Sequence, residues 1–73
     1  MHIFHTRIKE LRIESGLTQV QLAKELNYEG TIVRNWENGK RRTGFEGLLA
    51  LSRFFDVSID YLLGAEDQFG NKV

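Results

Sequence analysis

Arg34 and Asn35 follow Thr31 by three and four residues, within the stretch N-Y-E-G-T-I-V-R-N-W-E-N-G-K-R-R from Asn27 to Arg42. On a helix of about 3.6 residues per turn that spacing puts all three on one face, opposite Val33 and Trp36. A guanidinium can pair bidentately with guanine, and a carboxamide with adenine, in the major groove. Thr31 can offer a hydroxyl or a methyl. Gly30 stands just ahead of them and removes a side chain. It either lets the backbone approach a ligand closely or marks a reading position left empty. Asn38, Lys40, Arg41 and Arg42 come next. A turn with three cations suits a phosphate backbone, and Arg41 or Arg42 can reach into a narrow minor groove. The plainer alternative for each of these residues is a solvated helix face or loop.

Other chemistries find little support. His2 and His5 could be read as a metal pair, but they lie near a chain end with no cysteine and no placed carboxylate beside them, so no metal site is expected. No Ser/His/Asp or paired-carboxylate constellation is recognisable. A chain of 73 residues leaves little room for an enclosed pocket. The reading is therefore not an enzyme, with no cofactor and no small-molecule substrate.

These residues need helices to position them. Thr6 can cap a first helix that carries Phe4, Ile8 and Leu11 at helical spacing. Gly16 fits the left-handed residue that ends it. Thr18 caps a second helix, in which Leu22, Ala23 and Leu26 form one buried face, and Asn27 stops it because asparagine tolerates the left-handed conformation. A third helix is expected from about Glu29 to Glu37, with Val33 and Trp36 inward and Tyr28 just ahead, closed by Asn38-Gly39. A fourth begins near Thr43 or Gly44 and runs to about Phe55, burying Phe45, Leu48, Leu51 or Leu49, and Phe54 or Phe55. Ser58 caps a short fifth helix, I-D-Y-L-L, closed by Gly64. The tail from residue 65 to 73 shows no period and is expected to be mobile. The fold class is all-α: a compact five-helix bundle over residues 1–64.

Composition agrees with one small domain. The chain has no cysteine and no proline. No apolar run approaches the roughly 18 residues of a membrane span. The N-terminus lacks a signal-peptide layout, so a cytoplasmic protein is expected. Net charge is zero, but residues 1–42 carry eight Lys/Arg against five Asp/Glu, and residues 43–73 carry two against five. A neutral chain divided in this way can still present one positive face.

The second and third helices are joined by about three residues around Asn27, and small Ala23 lets one cross closely over the other, as in a helix-turn-helix. The string G-L-T-Q-x-x-L-A, then W-E-N-G-K, then D-V-S-I-D-Y-L-L-G resembles the phage repressor and Cro-type family of DNA-binding domains, over roughly Thr6 to Gly64. The resemblance implies a lambda-repressor-like five-helix domain that binds operator DNA, usually as a dimer. It departs from the family pattern at Asn27, where glycine is usual, and at Thr43-Gly44, where a Pro-Ser type start is common. It departs again at Glu29, where Ser or Thr often caps the recognition helix, and at Gly30.

Several roles come only from the resemblance. It implies that Thr18 and Gln19 contact DNA phosphate at the start of the second helix. It makes Gly30, Thr31, Arg34 and Asn35 the base-reading set. It makes Arg12 and Glu37 an internal ion pair tying the first helix to the end of the third. It associates Ile59 and Leu62, on the fifth helix, with dimer formation or another protein contact. Val20 stands where the family usually has a charged residue, and Ile13 lies off the Ile8/Leu11 face. Both are therefore candidate protein-interaction residues, against the plainer reading of scattered surface apolars.

The expected function is a sequence-specific transcriptional regulator bound to double-stranded operator DNA in a bacterial host cytoplasm, associated with the nucleoid, as in a phage lysis/lysogeny switch. Without a second domain the chain looks like a stand-alone Cro-type regulator. Its short form is also similar to the modulator-of-repression proteins of temperate lactococcal phages. That likeness implies the alternative of an antirepressor binding a partner repressor protein. A further alternative is the antitoxin of a toxin–antitoxin pair.

Overall fold

The computed structural model describes residues 2–65 and 71–72. Five helices follow one another: α1 (His2–Glu14), α2 (Gln19–Glu25), α3 (Ile32–Glu37), α4 (Phe45–Phe55) and α5 (Ile59–Leu63). The all-α expectation holds among the described residues. The expected tail from 65 to 73 falls largely on residues 66–70 and 73, which lie outside them, as does the side chain of His2.

The core is built around Trp36, the one tryptophan of the chain, which is 2% exposed. Phe4 meets its ring edge-on with centroids 6.5 Å apart, and Tyr28 does so at 5.4 Å. Such aromatic pairs contribute about 0.5–1.5 kcal/mol beyond the area they bury. Ile8, Leu22, Ala23, Val33, Leu51 and Leu62 complete the buried set. α1 packs on α3 and α5, α2 on α3, and α4 on α5. Gly47 explains how closely α4 approaches. A Cβ there would lie 3.3 Å from Cζ2 of Trp36 and 1.8 Å from Oγ1 of Thr43.

Four expectations are corrected by this packing. Thr6 does not cap α1, which already runs from His2. Phe4 and Ile8, one turn apart, are both needed against the core, and helix through residues 2–5 is what brings Phe4 there. The third helix begins at Ile32 rather than near Glu29, so Gly30 lies in a turn and Thr31 at the N-cap. Glycine gains least from helix, and the Thr31 hydroxyl donates to Glu29 Oε1 at 3.0 Å instead of capping a backbone N–H. Phe45 is 68% exposed rather than buried. Gly47 and Leu51 are the buried residues of α4, and two positions back along a helix is a rotation of about 200°. Leu62 is fully buried, so it forms part of the core and not of a protein-binding surface.

The local stops follow from chemistry visible in the sequence. Asn27 adopts φ 65° and ends α2. Thr18 forms a reciprocal cap with Gln21: its hydroxyl accepts from Gln21 N at 3.1 Å, while Gln21 Oε1 accepts from Thr18 N at 2.8 Å. Ser58 caps α5 by accepting from Tyr61 N at 2.9 Å.

Candidate nucleic-acid interface

α2 and α3 are locked together at one carboxylate. Glu37 Oε2 accepts from Arg12 Nε at 2.6 Å, and its Oε1 accepts from Arg12 Nη2 at 3.1 Å and from Gln19 Nε2 at 3.0 Å. The remaining Arg12 nitrogen, Nη1, donates to the Leu17 carbonyl at 2.9 Å. One cluster thus joins the end of α1, the α1–α2 turn, the start of α2 and the end of α3. The Arg12 and Glu37 side chains are only 12% and 4% exposed, so charge pairing and hydrogen bonding are both required there. The expected internal pair is present in its expected place.

Gln19 is part of this cluster as well as of the exposed start of α2. Its amide nitrogen has two N–H donors, and Glu37 takes one. The other is available to an oxygen anion. The hydroxyl of Thr18 accepts in the cap, and its proton is likewise left to donate. The first turn of α2 adds backbone donors of the kind a helix leaves unpaired.

On α3, Arg34 is exposed and Asn35 half-buried. The Thr31 carbonyl accepts from Asn35 N at 3.1 Å, so Thr31 sits one turn above Asn35 although it lies outside the helix proper. With its hydroxyl proton on Glu29, Thr31 presents a methyl and an acceptor oxygen. Within the fold itself Gly30 is not crowded. A Cβ placed there would meet only the two Val20 methyls, at 3.8 Å, which is ordinary contact. Nothing in this geometry requires glycine.

The basic loop folds back along α3. Asn38 Oδ1 accepts from Lys40 N at 3.0 Å, and Arg41 N donates to the Asn35 carbonyl at 3.2 Å. Lys40, Arg41 and Arg42 are all exposed. Gly39 turns the chain at φ 80°. Asn38 therefore works as a turn residue, and its amide nitrogen remains a donor.

Ile13 and Val20 are 57% and 61% exposed, in keeping with their odd placement in the sequence. Ile59 is half-buried. Among the described residues no group of three or more His, Cys, Asp or Glu is placed to hold a metal ion.

Sequence reasoning missed three positioning contacts. Gln21 completes the α2 cap, and the T-x-x-Q spacing was the signal for it. His5 abuts the turn after α3, where a Cβ on Gly39 would come within 2.9 Å of His5 Cε1. Arg7 lies over the Tyr61 ring, 4.1 Å from its centroid, and donates to the Tyr61 carbonyl, pinning α1 to α5. No spacing in the sequence announces these last two.

Solved structures share this arrangement. The P22 c2 repressor, solved in complex with synthetic operator 9T, superposes with a TM-score of 0.77 at 29% identity, over 85% of this chain and 94% of that one. The restriction-modification controller protein C.AhdI of Aeromonas hydrophila gives 0.75 at 30% identity, over 84% and 92%. Among curated proteins, the HTH-type transcriptional activator BcrR of Enterococcus faecalis is 41% identical over 64 residues, 88% of this chain. The HTH-type transcriptional regulator ImmR of Bacillus subtilis is 39% identical over 61 residues, 84% of this chain. The chain spans 31% and 48% of the lengths of these two relatives. The helix-turn-helix family model HTH_3 matches residues 8–62, which takes in every element from α2 to the buried Leu62 of α5. The chain belongs to the helix-turn-helix family.

Proposed function

We propose that this domain is the operator-binding unit of a repressor-type transcriptional regulator. The observation that carries the reading is the fixing of α3 at its end by the Arg12–Glu37–Gln19 cluster while Arg34 stays exposed beside it. A reading helix must be rigid, because base recognition depends on side chains held in register with the base edges. In this account Arg34 and Asn35 read bases, and Thr31 adds a methyl contact. Thr18, Gln19, Asn38 and Lys40–Arg42 hold phosphates on either side. Gly30 contributes no reading group, so specificity rests on the remaining three. The relatives named as transcriptional regulators, and the P22 c2 repressor on its operator, support this assignment.

The finer setting we propose is a phage-type genetic switch in a bacterial cytoplasm, with a homodimer on a two-fold operator. No helix among the described residues is long and apolar enough to cross a membrane. An operator selected from random duplexes tests the central reading. Arg34→Ala should weaken binding by about 1–3 kcal/mol and relax preference at one base pair. A footprint and affinity unchanged by Arg34→Ala would remove α3 from the reading role.

One observation favours a second reading, that of an antirepressor bound to a partner repressor. Ile13 and Val20 are large apolar side chains left more than half exposed. Ile13→Asp or Val20→Asp should then abolish co-elution with the repressor while sparing operator binding. Complexes that survive both charges exclude this surface.

A further inference from the structure

Beside the basic loop lies a cleft of about 300 Å³, lined by Phe4, His5, Arg42, Thr43, Leu48 and Leu63. We infer that it binds a small amphipathic carboxylate, with the apolar body in the cleft and the head group on Arg42. Its apolar walls come from three helices, Phe4 on α1, Leu48 on α4 and Leu63 on α5. A volume of this size lies at the lower end of the range for small-molecule sites, which are mostly apolar with a few placed polar groups. The charge at the rim selects the head group. Arg42 is exposed and makes no ion pair among the described residues, and none of the six lining residues is acidic. A planar guanidinium fork matches a carboxylate bidentately. The Thr43 hydroxyl is turned to the Gly44 carbonyl, to which it donates at 3.2 Å, so the head group rests on Arg42 alone.

Two contacts connect this cleft to α3. Phe4 reaches the Trp36 ring edge-on, and His5 abuts Gly39 at the end of the helix. Arg42 itself belongs to the loop proposed to grip phosphate. A carboxylate on Arg42 therefore competes with DNA for the same cation; this consequence, unlike the binding site, rests on the operator-binding reading.

Octanoate is the probe, with 1-octanol as its neutral counterpart. Binding is followed by Trp36 fluorescence and by amide shifts at the lining residues. The wild-type chain should bind octanoate saturably, with shifts confined to the cleft. Octanol, and octanoate with Arg42→Gln, should each bind at least about tenfold more weakly. Equal affinity for acid and alcohol, no effect of Arg42→Gln, or no saturable shift at millimolar octanoate overturns the proposal. A second arm measures operator affinity with and without octanoate. A loss in the wild type that disappears with Arg42→Gln supports the competition. Octanoate binding with unchanged operator affinity overturns the competition. A chain that binds octanoate but no selected operator overturns the operator-binding reading and leaves the cleft assignment standing.

Discussion

Arg12 and Glu37 meet through two parallel hydrogen bonds, at 2.6 and 3.1 Å, although they lie 25 positions apart in the chain. Gln19 adds a third donor to the same carboxylate. Taking away one partner leaves a charge that is nearly buried and unmatched. Arg12→Ala should therefore cost about 3–5 kcal/mol, measured by urea denaturation. Arg12→Met with Glu37→Leu should cost much less, since both charges leave together. Arg12→Lys should recover only part of the loss, because an ammonium cannot reproduce the fork. A double variant as unstable as Arg12→Ala would mean that the pair itself, and not the orphaned charge, sets the cost.

Gly30 offers the opposite expectation. Its backbone is not in the left-handed region, and a Cβ would touch the Val20 methyls at 3.8 Å. Gly30→Ala should be neutral or raise stability by up to about 1 kcal/mol, through a less flexible unfolded chain. Operator affinity should stay within a few-fold of wild type. A large drop in affinity from a stably folded Gly30→Ala protein would instead assign Gly30 the close-approach role.

Gly39 sits at the far end of the same segment and behaves differently. At φ 80°, with His5 Cε1 2.9 Å from the Cβ position, any side chain is strained. Gly39→Ala should lower stability by about 1–2 kcal/mol or more in thermal denaturation. His5→Ala in the same chain should relieve the contact and leave the backbone cost. Full recovery in the double variant would place the whole penalty on the His5 contact.

Lys40 tests the phosphate side of the interface. Lys40→Ala should weaken all duplexes about equally and reduce the slope of log affinity against log salt by about 1. A change confined to one operator position would make Lys40 a base reader instead.

The fold was legible where a local rule decides it. The caps at Thr18 and Ser58 and the left-handed Asn27 each need only neighbouring residues, and each is found as expected. The Arg12–Glu37 pair was legible only through family likeness, since nothing in the spacing of residues 25 apart predicts it. The faces of α5 were not legible. α5 has five residues, too few for a period to distinguish Leu62, which is buried, from Ile59, which is half-exposed. Phe45 stands three residues before Leu48, a helical spacing that predicts one buried face, whereas the tight seat on Trp36 is filled by Gly47. The start of α3 depended on a local choice, the Thr31 hydroxyl donating to Glu29 instead of capping a backbone N–H, which helix periodicity does not show. Arg34, Asn35 and the basic loop lie where the sequence pattern places them relative to Trp36, because a helical face is fixed once one inward residue is known.

Three of the helices are short: seven residues in α2, six in α3 and five in α5. Peptides shorter than about 12–15 residues do not hold a helix alone in water. Each of these segments borrows its persistence from Trp36 and the residues that surround it. None of the three is stable by itself, so loss of one segment removes the walls of the next. Amide protons across α2, α3 and α5 should then exchange through one shared opening event and report nearly the same free energy. Such all-or-none behaviour would leave the surface formed by α2 and α3 either fully assembled or absent, with no half-formed state between.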